Sequence, residues 1–558
     1  MLKTSSLIVF ISLCCSLAAQ NTIGLISYND SKSYDGYNLL YPHNQPNVYL
    51  LDNCGEIVHV WEGEADTRPG NTAYLLEDGR LIKTSRPASV AGNPIWAGGG
   101  GATVEIRSWD NELEWSFTLN DSTARLHHDI AVIEKNNRLS IAMIAWEVKS
   151  LEEVIQAGRD TSVLDRGEMW PDYILEVDPA TDEIIWEWHA WDHLIQDFDP
   201  SKDNFGDVSQ NPGRIDINHD FDGTGHPDWM HSNALDYDPR WDYLMLSIPY
   251  FSEIWIIDHT TTTEEAASNA GGFSGNGGDL MYRWGNPQIY NQGDSSDQRL
   301  FFQHDANFID DFVPGFDPNY GRIAVFNNRV GSDFSSSNIL DPQFDMYDWS
   351  FPFDGNRFGP DETLLTILHP EDATKMYSTG LSGFQYLPNG NYLITAGRTG
   401  YTSEMTPDNE IVWEYITPLR AGFPLEQGDT TLTTNNNLTF RVKRYPIEYS
   451  AFEGRDLSSK GWIELNPDSS YCDKLVSVDD LVEYKLEIFP NPADQLIMVK
   501  WEAGKYVNLE VFDIMGRKLE SFSRMSGGRK YLDSSNWPQG IYTITINGVV
   551  ASKLLISH

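Results

Sequence analysis

"GFQYLPNGNYLITAG", residues 383–397, is the stretch on which the fold turns. Two apolar runs with alternating faces flank Pro388, Asn389 and Gly390, which is turn chemistry, so the segment reads as a β-hairpin. The phrase returns as "AYLLEDGRLIKTS" at 73–85, "IAVIEKNNRLSIAMIA" at 130–145 and "ALDYDPRWDYLMLS" at 234–247. Out of step with it runs a second phrase, a polar turn and a short aliphatic strand carrying tryptophan, at Trp61, Trp115, Trp186, Trp284, Trp349 and Trp413. A hairpin followed by a Trp-bearing strand, repeated in this way, predicts an all-β chain built as a six-bladed β-propeller, since each blade needs about four antiparallel strands packed on its neighbours. The copies are spaced more widely than the ~40–50 residues of a minimal blade, so loops are inserted between strands. A pair of β-sandwiches is the alternative the same strands allow.

Composition points the same way. The 558 residues include 44 Gly, 18 Trp, 26 Tyr and 25 Phe, which favours many short strands and tight turns over long helices. With 39 Lys+Arg against 82 Asp+Glu the formal charge is −43, a field that repels nucleic-acid backbones and anionic membranes. An anionic small substrate then needs a local cationic patch. Residues 1–19, with Lys3, an apolar run from Leu7 to Leu13 and small residues ahead of Gln20, predict a secretory signal peptide. No other segment approaches about 20 consecutive apolar residues, so the mature chain is expected to be secreted or cell-surface, without a membrane span. Cys54 and Cys472 remain after processing, and sequence alone leaves open whether they pair.

The propeller is expected over 20–465 and a linker over 466–484. Residues 485–558 read as a small β-sandwich of about seven strands. Their motifs "FPNPA" (489–493), "VFDIMGR" (511–517) and "WPQGIYTI" (537–544) closely resemble the type A sorting domain of the type IX secretion system. That resemblance implies the type IX machinery as a partner.

Set beneath one another, three of the strand phrases are preceded by histidine: His128 in "HHDIAVI", His231 in "MHSNALDY" and His304 in "QHDANFI". Inner strands of a propeller line one channel, so these imidazoles should converge, and convergence of a titratable residue has no packing rationale. No carboxylate or cysteine recurs with them at ligand spacing, so neither a metal nor a cofactor is expected. Arg283, Asn286, Asn328, Arg329 and Arg398 lie in neighbouring phrases, with His127 and Asn233 close to the histidines. Guanidinium forks and amide donors suit a tetrahedral oxyanion such as sulfate.

With those residues in view, about 70–418 resembles the exported aryl-sulfate sulfotransferase type of arylsulfotransferase. The likeness is carried by "HHDI", "EVIQAGRD", "WEWHAWDHLIQDFDPSKDNFGDV", "DWMHSNALDYDPRWDYLMLS", "GGDLMYRWGNPQIY", "QHDANFI" and "YSTGLSGFQYLPNGNYLI", in order. It implies transfer of a sulfuryl group from a phenolic sulfate ester to a phenol, independent of PAPS, through a sulfated histidine, with His193 of "WEWHAWDHLIQDFDPSKDNFGDV" at the edge of the pocket. The family's nucleophilic histidine has no unique match, because a later hairpin opens with Ser382 and Gly383. The expected ranking is His304, then His231, then His128. An arylsulfate hydrolase with the same pocket, or a noncatalytic propeller binding glycans or anions, are the rival readings.

Overall fold

Turn residues set the hairpin registers. Asn136 and Asn137 both take left-handed φ (54° and 59°), closing a two-residue turn that puts Lys135 opposite Arg138. Gly79 and Gly390, each at φ +88°, close a second type of turn twice over: Leu76 N–H donates to Arg80 O and Leu387 N–H to Asn391 O, both at 2.8 Å. A computed structural model describes residues 21–468 except 91, residue 472, and 487–557 except 502–506, 515–516, 526–527 and 547–548. The expected signal peptide and most of the expected linker lie outside the described residues.

The chain divides into two compact units, ending and beginning at 472/473. In the first, antiparallel hairpins assemble into six sheets of four or five strands among the described residues. From the inside outward, sheet 1 is Thr439–Pro446, Gly36–Pro42, Val48–Leu51 and Ile57–Trp61, and sheet 2 is Arg68–Leu75, Leu81–Arg86, Thr103–Arg107 and Leu113–Thr118. Sheet 3 is Ala124–Lys135, Arg138–Glu147, Asp172–Asp178 and Glu183–His189, and sheet 4 is Ala234–Asp238, Tyr243–Ile248, Glu253–Asp258 and Tyr282–Trp284. Sheet 5 is His304–Phe308, Ile323–Asn327, Ser336–Leu340 and Leu365–Ile367. Sheet 6 is Gly383–Tyr386, Tyr392–Ala396, Tyr401–Met405 and Ile411–Ile416, with Gly24–Tyr28 added at its outer edge. Each innermost strand neighbours the innermost strand of the next sheet, and the series returns to its start, so the sheets form the closed ring of a β-propeller. The ring closes twice: the last strand of the unit, Thr439–Pro446, opens sheet 1, and the first, Gly24–Tyr28, finishes sheet 6.

The repeated tryptophans lock the outer circumference. Trp61 Nε1–H donates to Ser108 O (3.1 Å), Trp115 to Asp182 Oδ1 (2.7 Å), Trp186 to Thr261 Oγ1 (3.2 Å), Trp284 to Pro360 O (2.7 Å) and Trp413 to Asn53 O (2.7 Å). Every acceptor lies between the third and fourth strands of the following sheet, so one side chain supplies both apolar filling and a directed bond across each junction. Trp349 corrects the expectation. It stands in a turn at φ +51°, and its phrase forms no outer strand; Leu365–Ile367 takes that place. The alternation around Trp349 comes from aromatics packing on Trp241 and Phe344 (5.7 and 6.0 Å between rings), not from a ladder. At that junction His369 Nε2 meets the Tyr401 hydroxyl at 3.1 Å instead.

Cys54 and Cys472 form a disulfide, tying the end of this unit to a turn of sheet 1. The second unit is two facing sheets, one of Glu487–Phe489, Leu496–Lys500 and Arg529–Asp533, the other of Lys518–Met525, Val507–Phe512, Gly540–Ile546 and Val549–Ile556. Ile497, Val499, Leu509, Val511, Ile544 and Leu554 are buried between them, the seven-strand sandwich read from the sequence.

Candidate functional site

The inner strands of sheets 3 to 6 share an unusual entry. His128 (φ 50°), His231 (φ 58°), Asp305 (φ 55°) and Ser382 (φ 94°) all sit in the left-handed region, which costs a residue with a Cβ and re-aims the neighbouring side chains. The kink turns the histidines of three sheets toward one end of the channel.

His128 and His231 meet edge to face with ring centroids 4.6 Å apart. Their surroundings drive them in opposite directions. Burial, and then the neighbouring His231 and His127, hold the His128 pKa well below that of an ordinary histidine. For His231 burial acts against the charged form, but the buried Asp228 carboxylate, 2.5 Å from Nδ1, outweighs it and raises the pKa. Asp228 is itself fixed by Trp146 Nε1–H at 2.9 Å, and Tyr250 stacks on the His231 ring at 4.7 Å. His128 Nδ1 faces His127 Nδ1 at 2.9 Å, and His127 lies flat on Trp146 with Nε2 3.3 Å from Asp172 Oδ1. One proton lies between the two Nδ1 atoms, and the tautomer in which His128 donates it is the one a nucleophilic His128 requires. That tautomer places the free lone pair of His128 on Nε2.

A glycine run covers this pair. His128 N–H and Asn71 Nδ2–H both donate to Gly99 O (2.9 and 2.8 Å), and a Cβ on Gly99, which sits at φ +75°, would stand 2.0 Å from His128 Nε2. Only glycine lets the loop lie there.

His304 reaches the same end, on the other side of Phe440, whose ring is 6.3 Å from both His304 and His128. Its two nitrogens are occupied: Nδ1 is bonded to Asn328 Oδ1 at 2.8 Å and Nε2 accepts from Leu381 N–H at 3.0 Å. Burial takes its pKa down to about 3, against the bond to Asn328. The Nε2 lone pair of His304, the first-ranked nucleophile of the sequence reading, is thus committed to a backbone donor. Asn328 is committed too, its Nδ2 donating to Ser378 O and Leu381 O. Asn233 ties sheet 4 to sheet 5 through Gln303 O (2.8 Å). Ser382 is buried and its Oγ accepts from Gly397 N–H.

Arg329 stands exposed at the mouth, its guanidinium 3.9 Å above the Phe302 ring and its Nε–H donating to Thr379 O. Phe221 stacks on Tyr250 at 3.9 Å and lies 5.7 Å from Phe302, so an aromatic wall carrying a cation flanks His231. Arg398 borders His304 from sheet 6 and bonds Asn435 Oδ1. Three other expected ligands are corrected. Arg283 is fully buried in an outer strand, paired with an equally buried Glu253 at 2.5 Å. Asn286 follows that strand, facing Phe251 O, and His193 is enclosed on the outer flank by Asp279 and Ala266 O. Their phrases belong to the circumference, as the tryptophans beside them do.

Sequence reading missed Asp228, Asp172, Tyr250 and the Gly98–Gly101 loop. Asp228 stands three residues before His231 and the glycine run is conspicuous, so both left a trace. Tyr250, in the turn after Tyr243–Ile248, and Asp172, at the start of Asp172–Asp178, are brought there by the fold. It also left Asp129 and Asp305 without a role: they grip Arg441 (2.8 Å each), which crosses the channel beside Phe440. Beyond Arg441 a cavity of about 470 Å³ lined by Asp236, Asp310, Asp311 and Lys443 opens at the channel's other end, away from the histidines.

The family model described as Arylsulfotransferase (ASST) matches residues 25–419, and that described as Secretion system C-terminal sorting domain matches 487–556. No curated protein matches. Among solved structures, a protein of unknown function from Bacteroides caccae shares 9% identity at TM-score 0.39, covering 74% of this chain and 99% of that one. The Dos1 propeller shares 9% at 0.29, covering 97% and 96%. Catalytically inactive H270A virginiamycin B lyase from Staphylococcus aureus, with quinupristin, shares 9% at 0.29, covering 69% and 86%.

Proposed function

The chain belongs to the arylsulfotransferase family, and from that premise we propose that it moves a sulfuryl group from a phenolic sulfate ester to a phenol, with no nucleotide sulfate donor, through a sulfohistidine at His128. The observation that carries this reading is the contact between two imidazoles whose protonation is driven apart, the pattern that separates nucleophile from acid. His128, kept neutral, attacks sulfur through Nε2. The ester S–O bond breaks as the N–S bond forms, and the electron pair left on the phenolic oxygen takes the proton of His231 Nε2. Asp228 steadies the charge His231 gives up and regains. In the return step the acceptor phenol passes its proton to His231, its oxygen bonds to sulfur, and the N–S bond breaks. Arg329 offers a guanidinium to the sulfate oxygens, and the Phe221, Tyr250 and Phe302 wall offers faces to an aromatic ring. The sorting domain supports export by the type IX machinery to the cell surface or the medium.

Intact-mass measurement after exposure to 4-nitrophenyl sulfate tests it. An adduct of about 80 Da is expected, mapping to His128 and absent in His128→Asn. His231→Gln should still form it from this activated ester but not from phenyl sulfate. Adduct formation from phenyl sulfate should fall as pH rises through the raised His231 pKa and persist below the ordinary histidine value of about 6.5, where His128 remains neutral. Modification of His304 or His231 would overturn the residue assignment, and no adduct would overturn the function. New sulfate ester forming only when a phenol is added separates transfer from hydrolysis.

A further inference from the structure

In five of the six sheets a residue that ends the second strand, or follows it by one or two places, lies at the histidine end of the channel; in sheet 3 that strand ends at Glu147. The residue is His43 in sheet 1, Arg86 in sheet 2, Tyr250 in sheet 4, Arg329 in sheet 5 and Arg398 in sheet 6. Sheets 6, 1 and 2 are consecutive in the ring, so Arg398, His43 and Arg86 form one arc, facing the aromatic wall of sheets 4 and 5 across the mouth. The arc is physically continuous. His43 N–H donates to Leu438 O (2.9 Å), Asn435 N–H to Arg398 O (2.7 Å), and Tyr41 Oη–H to Thr84 O (3.2 Å), joining the loops of the three sheets. Arg86 lies over Trp96 at 4.6 Å, and Trp96 is 45% exposed.

These groups lack what cations ordinarily have. Among the described residues neither Arg86 nor Arg398 is ion-paired, and the charges that act on them come from Arg68 and Arg329, of the same sign. Arg398 Nε and His43 Nε2 are buried without a hydrogen-bond partner. A shortage of carboxylates is not the cause in a chain with 82 acidic and 39 basic residues. Clustered, half-buried cations and unpaired buried donors each cost stability, and an anion seated among them offsets that cost.

We propose that Arg398, His43 and Arg86 form a second anion subsite, which holds a carboxylate or sulfate borne by the aromatic substrate away from the reacting ester. The preferred phenols and aryl sulfates then carry two anionic or potentially anionic groups, one at the histidines and one on the arc. The identity of the arriving molecule rests on the sulfuryl-transfer reading, whereas the subsite is a binding feature measurable without turnover.

The experiment uses the folded mature protein with 4-nitrophenyl sulfate as donor and three acceptors: 4-hydroxyphenylacetate, its methyl ester, and 4-hydroxybenzenesulfonate, which separates the carboxylate and sulfate-like arms. A kcat/KM at least about tenfold higher for a charged acceptor than for the ester is expected, the equivalent of one charge-assisted bond. In Arg86→Gln the ratio should fall to near one while the ester's rate is kept. Calorimetric dissociation constants for 4-hydroxyphenylacetate and its ester should show the same ratio and the same loss, even if no acceptor is turned over. Should Arg86→Gln not fold, the wild-type ratio, and its decline with added salt, decide alone. Equal constants for charged and neutral compounds, or a ratio unchanged by Arg86→Gln, would overturn the subsite; absent transfer with the binding ratio intact would overturn only the sulfuryl-transfer reading.

Discussion

The circumference and the axis of the propeller are both built on repeated residues, yet the repeats end differently. Each rim tryptophan described above finds the same kind of partner, a group between the third and fourth strands of the next sheet, and nothing is left over. The axial histidines share a backbone kink but not a fate. His304 is fully bonded, His231 is held at Nδ1 alone, and His128 leans on another imidazole. Uniform satisfaction is what packing requires, whereas unequal satisfaction leaves ring nitrogens available to a ligand.

Substitutions at the two places should separate stability from turnover. The largest effect belongs to the outer strand of sheet 4: Arg283→Gln leaves Glu253 buried and unpaired, and should cost about 3–5 kcal/mol in urea unfolding while sulfuryl transfer per folded molecule is unchanged. Lost transfer at unaltered stability would return Arg283 to the site. Next comes Arg329→Gln at the mouth, expected to lower kcat/KM by about 10²-fold and to move stability by less than about 0.5 kcal/mol. The smallest effect is at the rim: Trp413→Phe removes one indole N–H from Asn53 O and should cost about 1 kcal/mol. A loss of activity larger than that stability change explains would show that rim and axis are coupled.

The rim was also the more legible in sequence. Five of six tryptophan phrases occupy outer strands because a strand packed against a neighbouring sheet obeys a period of two. Trp349 escaped because aromatic clustering copies that period without a ladder. At the axis the pattern told where His128, His231 and His304 enter the channel, since equivalent positions in a ring face one axis. It could not tell which nitrogens stay free, because the partners that occupy His304, Asn328 and Leu381, come from loops 24 and 77 residues away. Arg283 and Arg329 look alike as residues beside a strand. Only burial and a facing Glu253 distinguish a structural cation from an available one.

The order of the strands has a temporal consequence. Phe440 and Arg441, which stand between His128 and His304, arrive on Thr439–Pro446, the last strand of the propeller to leave the ribosome and the one that opens sheet 1. A nascent or truncated chain lacking it has every axial histidine but no finished chamber, so the annulus closes only when about four-fifths of the 558 residues have been made.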